Sequence, residues 1–375
     1  MGLRKAILII ATSERDANLY YATHFIAPDP FVFIQTNGRK YILMSDLEVD
    51  RARSQSRVDQ VLSTSKLAAD YRKRTGRRPI FVDLISDFLK RKRKKELLVP
   101  SDFPLAYADA FRKRKFRVQT RPDPFFEERM IKRPEEIRAI EISLRHTEAA
   151  CRAACDLIAR SQIRRGKLYD RGRVLTSEAV KRIINMTLME RGCVAQHTIV
   201  ACGRDGVDPH NEGGGPLLAH EPIVMDIFPQ SVQSRYYADL TRTVVRGKAS
   251  GKLKRMYAAV REGQEIAFRM IRAGADGSKI HEAIQRRFES LGFRTGEVNG
   301  RMQGFFHGTG HGVGLEIHEP PRISVGKDLL KAGQVVTVEP GLYYEDAGGV
   351  RLEDMVLVNR RGSRNLTRLP KILEL

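Results

Sequence analysis

The chain has 375 residues, 42% of them apolar and 30% charged, with a formal net charge of +21. That length is long for one domain and comfortable for two, and no apolar run nears the ~20 residues of a membrane helix. Four cysteines, at 151, 155, 193 and 202, do not form the pattern of a disulfide framework, so a reducing, cytoplasmic setting is expected.

The first ~120 residues alternate short apolar runs with amphipathic segments. "KAILIIA" (5–11), "FVFIQ" (31–35), "KYILM" (40–44) and "RPIFVDL" (78–84) read as strands of a buried sheet. The first is shorter than a leader's apolar region and is followed at once by Glu14, Arg15 and Asp16, so it reads as a strand and not as a signal. "SDLEVDRARSQS" (45–56) has Ser45 and Glu48 at capping-box spacing, which predicts a helix start. A small α/β domain over 1–122 is expected. It carries most of the charge excess, since residues 1–121 hold 26 Lys/Arg against 13 Asp/Glu. Two dense runs, "KRKRKK" (90–95) and "RKRKFR" (112–117), could attract polyanions. Neither belongs to a recognisable nucleic-acid module, so each reads as a solvated basic face, dispensable for any chemistry elsewhere, and neither nucleic acid nor membrane is expected as a partner.

The proline-rich stretch 121–136 reads as a linker. Beyond it the texture becomes that of an α+β domain over 123–375. Helices are predicted at 133–160, 176–192, 250–274 and 276–292, the first with Pro134 and acids in its opening turn. Cys151 and Cys155 fall in the first of these, at a spacing that suits helix packing. Between and after the helices lie apolar strands that carry acids: Asp226 in "PIVMDIF" (222–228), Asp239 in "YYADLTRTVV" (236–245), Glu339 in "QVVTVEPGLYY" (334–344), and Glu353 with Asp354 in "GVRLEDMVLV" (349–358). A bare buried carboxylate costs several kcal/mol, so such groups are usually paired or bound to metal. Four acidic strands in one domain point to metal. Four carboxylates and one imidazole balance two divalent cations.

"HGTGHGVGLEIHE" (307–319) offers the imidazoles: His307, His311 and His318, with glycines at 308, 310, 312 and 314. Glycine at these positions disfavours a helix, and the H-E-x-x-H spacing of a helical zinc site is lacking. The segment therefore reads as a loop or strand that gives one imidazole to the metals and two to the substrate side. Its glycines are expected to let the backbone turn tightly and come close to ligands. His210, in the loop "DGVDPHNEGGG" (205–215), joins the candidates. His24, His146, His197, His220 and His281 read as ordinary surface or core residues.

Together "ADLTRT" (238–243), "HGTGHGVGLEIHE" (307–319), "VTVEPGLYY" (336–344) and "GVRLEDMV" (349–356) resemble the pita-bread metallopeptidases, in particular their Xaa-Pro aminopeptidase and prolidase branch. "NLYYATHF…MSDLEVDRA" (18–53) is similar to the creatinase-type N-terminal domain of that branch. The resemblance implies a dinuclear centre with two divalent cations, manganese first, cobalt or zinc as alternatives. Asp226 would chelate one metal, Asp239 and Glu353 would bridge both, and His311 and Glu339 would complete the set. A bridging hydroxide would attack the peptide. Glu339 would also move its proton, His210 and His318 would hydrogen-bond the scissile carbonyl, and His307 would line the substrate pocket. Thr241 and Arg351 would hold ligand carboxylates from behind. The implied activity is release of an N-terminal residue that precedes proline, from peptides or Xaa-Pro dipeptides, by a homodimer. Methionine aminopeptidase activity, hydrolysis of a small non-peptide C–N bond, and non-catalytic binding on the same fold are the competing readings. One departure stands out. The family usually has Asp, one residue, then Gly, but here the chain reads "MDIFPQSVQSRYYAD" (225–239), with Phe228 and Pro229 and a connection two residues longer than usual.

Overall fold

The computed structural model describes residues 5–375, and the chain divides into two compact units, Met1–Arg129 and Met130–Leu375. In the first, β1 (Lys5–Ala11), β2 (Phe31–Thr36), β3 (Arg39–Met44), β4 (Gln60–Ser63), β5 (Glu96–Pro100) and β6 (Arg117–Arg121) form one sheet in the order β4-β3-β2-β1-β5-β6. Only β2 runs against the rest. Helices α1 (Ala17–Thr23), α2 (Val49–Gln55), α3 (Thr64–Thr75), α4 (Phe81–Arg91) and α5 (Leu105–Lys113) complete this unit. Apolar cores form on both faces of the sheet, with Leu8 and Ile10 in one and Ile7 and Ile9 in the other. This is why β1 reads as an unbroken apolar run.

Two local expectations fail here. Residues 78–84 do not form a strand, because Phe81 opens α4. Val82, Ile85, Phe88 and Leu89 share one buried face at helical spacing, a period that the window 78–84 is too short to reveal. The strand in that region is "ELLVP", Glu96–Pro100. The capping box at Ser45 also does not form. The helix starts at Val49, Glu48 is its N-cap, and residues 46–48 make a turn closed by the Glu48 N–H to the Ser45 carbonyl at 3.0 Å.

In the second unit α6 (Pro134–Arg160) and α7 (Ser177–Met189) cover an antiparallel three-stranded sheet, Ile199–Cys202, Pro222–Ile227 and Leu240–Val245. Cys151 is buried in this layer, among Ile184, Met225 and Leu240. Helices α8 (Gly251–Met270) and α9 (Gly277–Ser290) cover a five-stranded sheet in the order Glu319–Ile323, Gly310–Gly312, Val335–Val338, Asp354–Val358, Ser363–Asn365. A hairpin of Gly341–Tyr344 and Gly348–Arg351 lies between the last long strands in sequence. The four predicted helices of this unit are all present, the third ending at Met270. No helix among the described residues is long and apolar enough to cross a membrane.

Candidate metal centre

The acids do not all sit inside strands. Asp226 does, opposite Ile199 on one side and Thr241 on the other. Asp239 immediately precedes Leu240–Val245, Glu339 immediately follows Val335–Val338, and Glu353 lies between Gly348–Arg351 and Asp354–Val358. Leaving the ladder at these points lets three carboxylates turn toward one another, while the backbone stays bonded. The Glu339 N–H donates to the Thr309 carbonyl at 2.7 Å, and the Glu353 N–H to the Thr241 carbonyl at 3.1 Å.

His311 lies in the short strand Gly310–Gly312. None of the four flanking glycines has positive φ. Their role is lateral room: a Cβ on Gly310 would stand 2.0 Å from the Thr337 carbonyl oxygen, and one on Gly312 2.4 Å from that of Pro320. The segment needs glycine to lie against its neighbouring strands, which corrects the expected tight turning. The His311 Nδ1 meets its acceptor at the Gly312 carbonyl, 3.1 Å away. That leaves Nε2 facing the acids, 3.2 Å from Glu339 Oε1 and 3.8 Å from Asp239 Oδ2. A metal-ligating histidine is usually oriented by such a bond at its other nitrogen.

Ligand atoms of Asp239, His311 and Glu353 all lie within 4.8 Å of one another. Asp226 is held at the side by Arg351, whose Nη2 donates to Oδ2 at 2.8 Å. The same guanidinium donates to the Tyr343 phenol oxygen at 2.9 Å and to Thr241 Oγ1 at 3.3 Å. Thr241 in turn donates to Glu353 Oε2 at 2.8 Å. The Gly308 carbonyl takes His307 Nδ1–H at 2.8 Å, so Nε2 accepts from Tyr343 at 2.9 Å. A continuous chain therefore runs Asp226–Arg351–Tyr343–His307.

A buried arginine, Arg242, ties the two sheets together under this set. It donates to the carbonyls of Thr241, Glu353 and Leu369 at 2.9, 2.8 and 2.6 Å and to Asp354 at 2.9 Å. On another side Lys132 and Glu319, both side chains 1% exposed, form a buried ion pair next to His318. Sequence reasoning singled out none of Tyr343, Arg242 or Lys132. Tyr343 had a weak signal, a polar ring in the apolar run after Glu339; the two cations had none.

The electrostatics suit a bound cation. Burial, then mutual repulsion, pushes Asp239 and Glu353 well above the usual carboxylate range. Burial also raises Asp226, in spite of Arg351. Burial acts the same way on Glu339, but the His311 hydrogen bond and charge, with His307 and Arg351, outweigh it and hold this carboxyl at about 2. Three buried carboxylate oxygens, Asp226 Oδ1, Asp239 Oδ1 and Glu353 Oε1, have no hydrogen-bond partner. Orphaned charged oxygens are costly, and oxygen donors with one neutral imidazole suit hard and borderline divalent ions. The residues fit a divalent metal site.

These groups open onto a cavity of about 1070 Å³, whose lining includes Asp226, Asp239, His311, Glu339 and Glu353 together with His210, His307, His318 and Arg351. Thr241 sits behind it. His210 is on an exposed turn whose N–H donates to Asp208 Oδ1 at 3.2 Å. His318 stands edge-on to His311 at 4.4 Å between ring centroids. Burial lowers both His307 and His318 to about 4, so both are neutral at pH 7. Two findings go beyond the sequence reading. His197, taken as ordinary, lines the cavity with Glu212 bonded to it at 2.8 Å. Phe228, from the atypical connection, is a cavity wall beside Ile199 and Ile317. That connection is fastened at Gln230–Ser231 to Cys193–Val194 and by the Tyr237 N–H to the Gly314 carbonyl at 2.9 Å.

An α+β scaffold whose buried carboxylates and imidazole converge on one cavity defines a metallohydrolase class. A sequence profile of the metallopeptidase family M24 matches residues 139–360, more than half of the chain, and the chain belongs to this family of divalent-metal enzymes. It is 33% identical over 246 residues to an Xaa-Pro dipeptidase of Pyrococcus furiosus, an alignment that spans 65% of this chain and only 65% of that relative's length. Among solved structures it resembles an X-Pro aminopeptidase from Thermotoga maritima, with a TM-score of 0.82, 23% identity and coverage of 99% of this chain and 98% of the other. It also resembles the prolidase from Pyrococcus furiosus, with a TM-score of 0.79, 24% identity, and coverage of 98% and 97%. The fold is therefore shared with these proteins along nearly the whole chain.

Proposed function

We propose that this chain is a metal-dependent exopeptidase that hydrolyses the bond between an N-terminal residue and proline, in dipeptides or longer peptides. The observation that carries the reading is the set of three partnerless buried carboxylate oxygens, of Asp226, Asp239 and Glu353, on residues that line one cavity with His311. The names of the similar proteins, Xaa-Pro dipeptidase and X-Pro aminopeptidase, support the choice of substrate.

In this reading Asp226, Asp239, His311, Glu339 and Glu353 hold two divalent cations, manganese first among the candidates. The cations supply Lewis acidity and a water acidified to react at neutral pH. The chain's own residues do the rest. Glu339, ionised and therefore free to accept, would receive a proton and pass it to the departing proline nitrogen. His318, neutral at pH 7, keeps one ring N–H to donate to the scissile carbonyl oxygen as charge develops there. His210, on the opposite turn, makes the second such contact. His307 lines the substrate pocket and is fixed through Tyr343 to Arg351. Thr241 and Arg351 orient Glu353 and Asp226. The N-terminal unit is read as the creatinase-type domain, the setting as cytoplasmic in keeping with four unbridged cysteines, and the assembly as a homodimer.

The test is hydrolysis of Ala-Pro, Ala-Pro-Ala and Met-Ala-Ser with added Mn²⁺, before and after EDTA. Cleavage of a proline peptide that EDTA abolishes supports the proposal. Metal-loaded protein that cleaves neither proline substrate overturns it, and cleavage of Met-Ala-Ser alone favours methionine aminopeptidase activity.

A further inference from the structure

The two basic runs, 90–95 and 112–117, lie apart in sequence and meet in the fold. Each is the link from a helix into a parallel strand, α4 into β5 and α5 into β6, and β5 and β6 are neighbours. Both links therefore emerge at the same edge of the sheet. The Arg117 N–H donates to the Lys95 carbonyl at 2.8 Å and joins them directly. The turn between β2 and β3 reaches the same edge, where Lys94 Nζ fastens it through Asn37 Oδ1 at 2.7 Å. That turn adds Arg39.

The two links are built alike. The Lys94 N–H returns to the Leu89 carbonyl and the Arg93 N–H to Lys90, while the Phe116 N–H returns to Phe111 and the Lys115 N–H to Arg112. This is the hydrogen-bond pattern of a helix C-terminus closed by a left-handed residue, a position usually given to glycine. Here it holds Arg93 at φ 56° and Lys115 at φ 67°. A cation or two at a helix C-terminus answers the helix dipole, and Arg91, Arg112 and Arg114 are matched by Asp87, Asp109 and Asp83. Lys92, Arg93, Lys95, Lys113, Lys115 and Arg117 remain, all exposed, with no ion pair among the described residues. The acids at this edge are Glu96, half-buried beside Arg117, and Asp59, which accepts from the Lys40 N–H.

We infer that this edge is a docking surface for the phosphodiester backbone of a nucleic-acid duplex. From β3 to β6 it crosses four strand spacings, about 19 Å at ~4.8 Å each. Along that length one strand of a duplex presents about five to six phosphates at ~3.4 Å each. The nearby aromatic rings, Tyr41 and Phe116, are buried, so no exposed ring is offered to stack on bases, and recognition is of the backbone without sequence preference. Among the described residues of this unit, the large exposed apolar side chains, Leu47, Ile80, Phe81 and Leu105, lie outside these links, so the links themselves offer none of the apolar anchorage that a bilayer surface rewards. Each run read singly looks like solvated charge. Their convergence with Arg39 is what gives a surface with a partner's repeat.

The test uses fluorescence anisotropy of the full chain with a labelled 20-base-pair DNA duplex and a matching RNA duplex. Neutralising about five phosphates predicts a loss of affinity of about 500-fold between 50 and 200 mM salt. The variant Lys92→Gln/Lys95→Gln/Lys113→Gln/Arg117→Gln should lose most binding, while Arg269→Gln/Arg272→Gln/Arg360→Gln/Arg361→Gln, with the same change of charge, should lose little. Metal-dependent peptidase activity reports that each variant is folded, and the milder pair Lys92→Gln/Lys113→Gln should give an intermediate salt slope. Equal losses in the two quadruple variants, absence of duplex binding at 50 mM salt, or tighter binding to anionic vesicles or polyglutamate than to either duplex would overturn the inference. The two duplexes decide between DNA and RNA as the source of the backbone.

Discussion

Thr241→Val separates holding a ligand from being one. Valine keeps the shape and removes the hydroxyl that donates to Glu353 Oε2 at 2.8 Å and accepts from Arg351 Nε at 3.3 Å. A hydrogen bond to a buried carboxylate contributes about 1.5–3 kcal/mol. At 1.36 kcal/mol per decade, that is roughly a 10- to 150-fold change in an equilibrium constant. The loss should fall on metal binding more than on the fold. In the metal-free chain burial and the neighbouring acids shift Glu353 above the ordinary carboxylate range, which disfavours the ionised form that this bond favours. The bond counts for more when a cation favours the ionised carboxylate. Mn²⁺ affinity should therefore drop within that range while the metal-free chain melts within about 1 kcal/mol of wild type, and Thr241→Ser should restore both. Chelator-competition titration and thermal unfolding of EDTA-treated protein measure the two quantities. Affinity within threefold of wild type would refute the reasoning, and so would a metal-free stability loss as large as the binding loss.

The other predictions concern the site, its support and a distant carboxyl. Asp239→Ala should abolish metal content and peptidase activity together, whereas His318→Ala should keep the metals and lose most of kcat; metal analysis beside kinetics checks both, and metal loss in His318→Ala would contradict its assigned role. Lys132→Met leaves Glu319 charged and buried without its main partner and should destabilise the chain by about 3–5 kcal/mol in urea unfolding at pH 7. Asp16 caps α1 through the Leu19 N–H at 2.6 Å, yet burial, helped by Asp102 and Asp123, raises its carboxyl to about 6. The fold therefore binds a proton more tightly than the unfolded chain does, and stability at this group falls as pH rises from about 4 to 6. Asn also caps helices, so Asp16→Asn should raise stability by about 1–3 kcal/mol at pH 7–8 and little at pH 4, and unfolding curves that shift in parallel at both pH values would refute the assignment.

Much of the candidate metal centre was legible because a charge inside an apolar run is conspicuous. Asp226, Asp239, Glu339 and Glu353 stand out for that reason, and so does His311 among its glycines. The pattern could not show that three of the four acids leave the ladder, since strand ends depend on which neighbour takes each N–H. Lys132 was invisible: in "MIKRPEE" it looks like any linker cation, and only Glu319, 187 residues away, makes it a buried partner. Arg242 hid in the same way, with acceptors over 100 residues distant. The helix at Phe81 was misread because seven residues carry both periods equally well, and the next turn, with Phe88 and Leu89, decides between them. The two basic runs were plain in the sequence, but that they adjoin follows from strand order, which local pattern does not encode.

The proposed donors of the metal centre come from opposite sides of a seam. Asp226 and Asp239 belong to the three-stranded sheet, and His311, Glu339 and Glu353 to the five-stranded one. Without cations, four acids crowd there and repel, so the sheets meet at their least cohesive point where the chemistry takes place. A metal that binds only the closed arrangement adds stability in proportion to the logarithm of its concentration over its dissociation constant. In the proposed enzyme the metal would thus act as a latch as well as a reagent. Below that Arg242 serves as a permanent hinge pin, and a chain starved of metal would keep each sheet intact while the joint between them loosens.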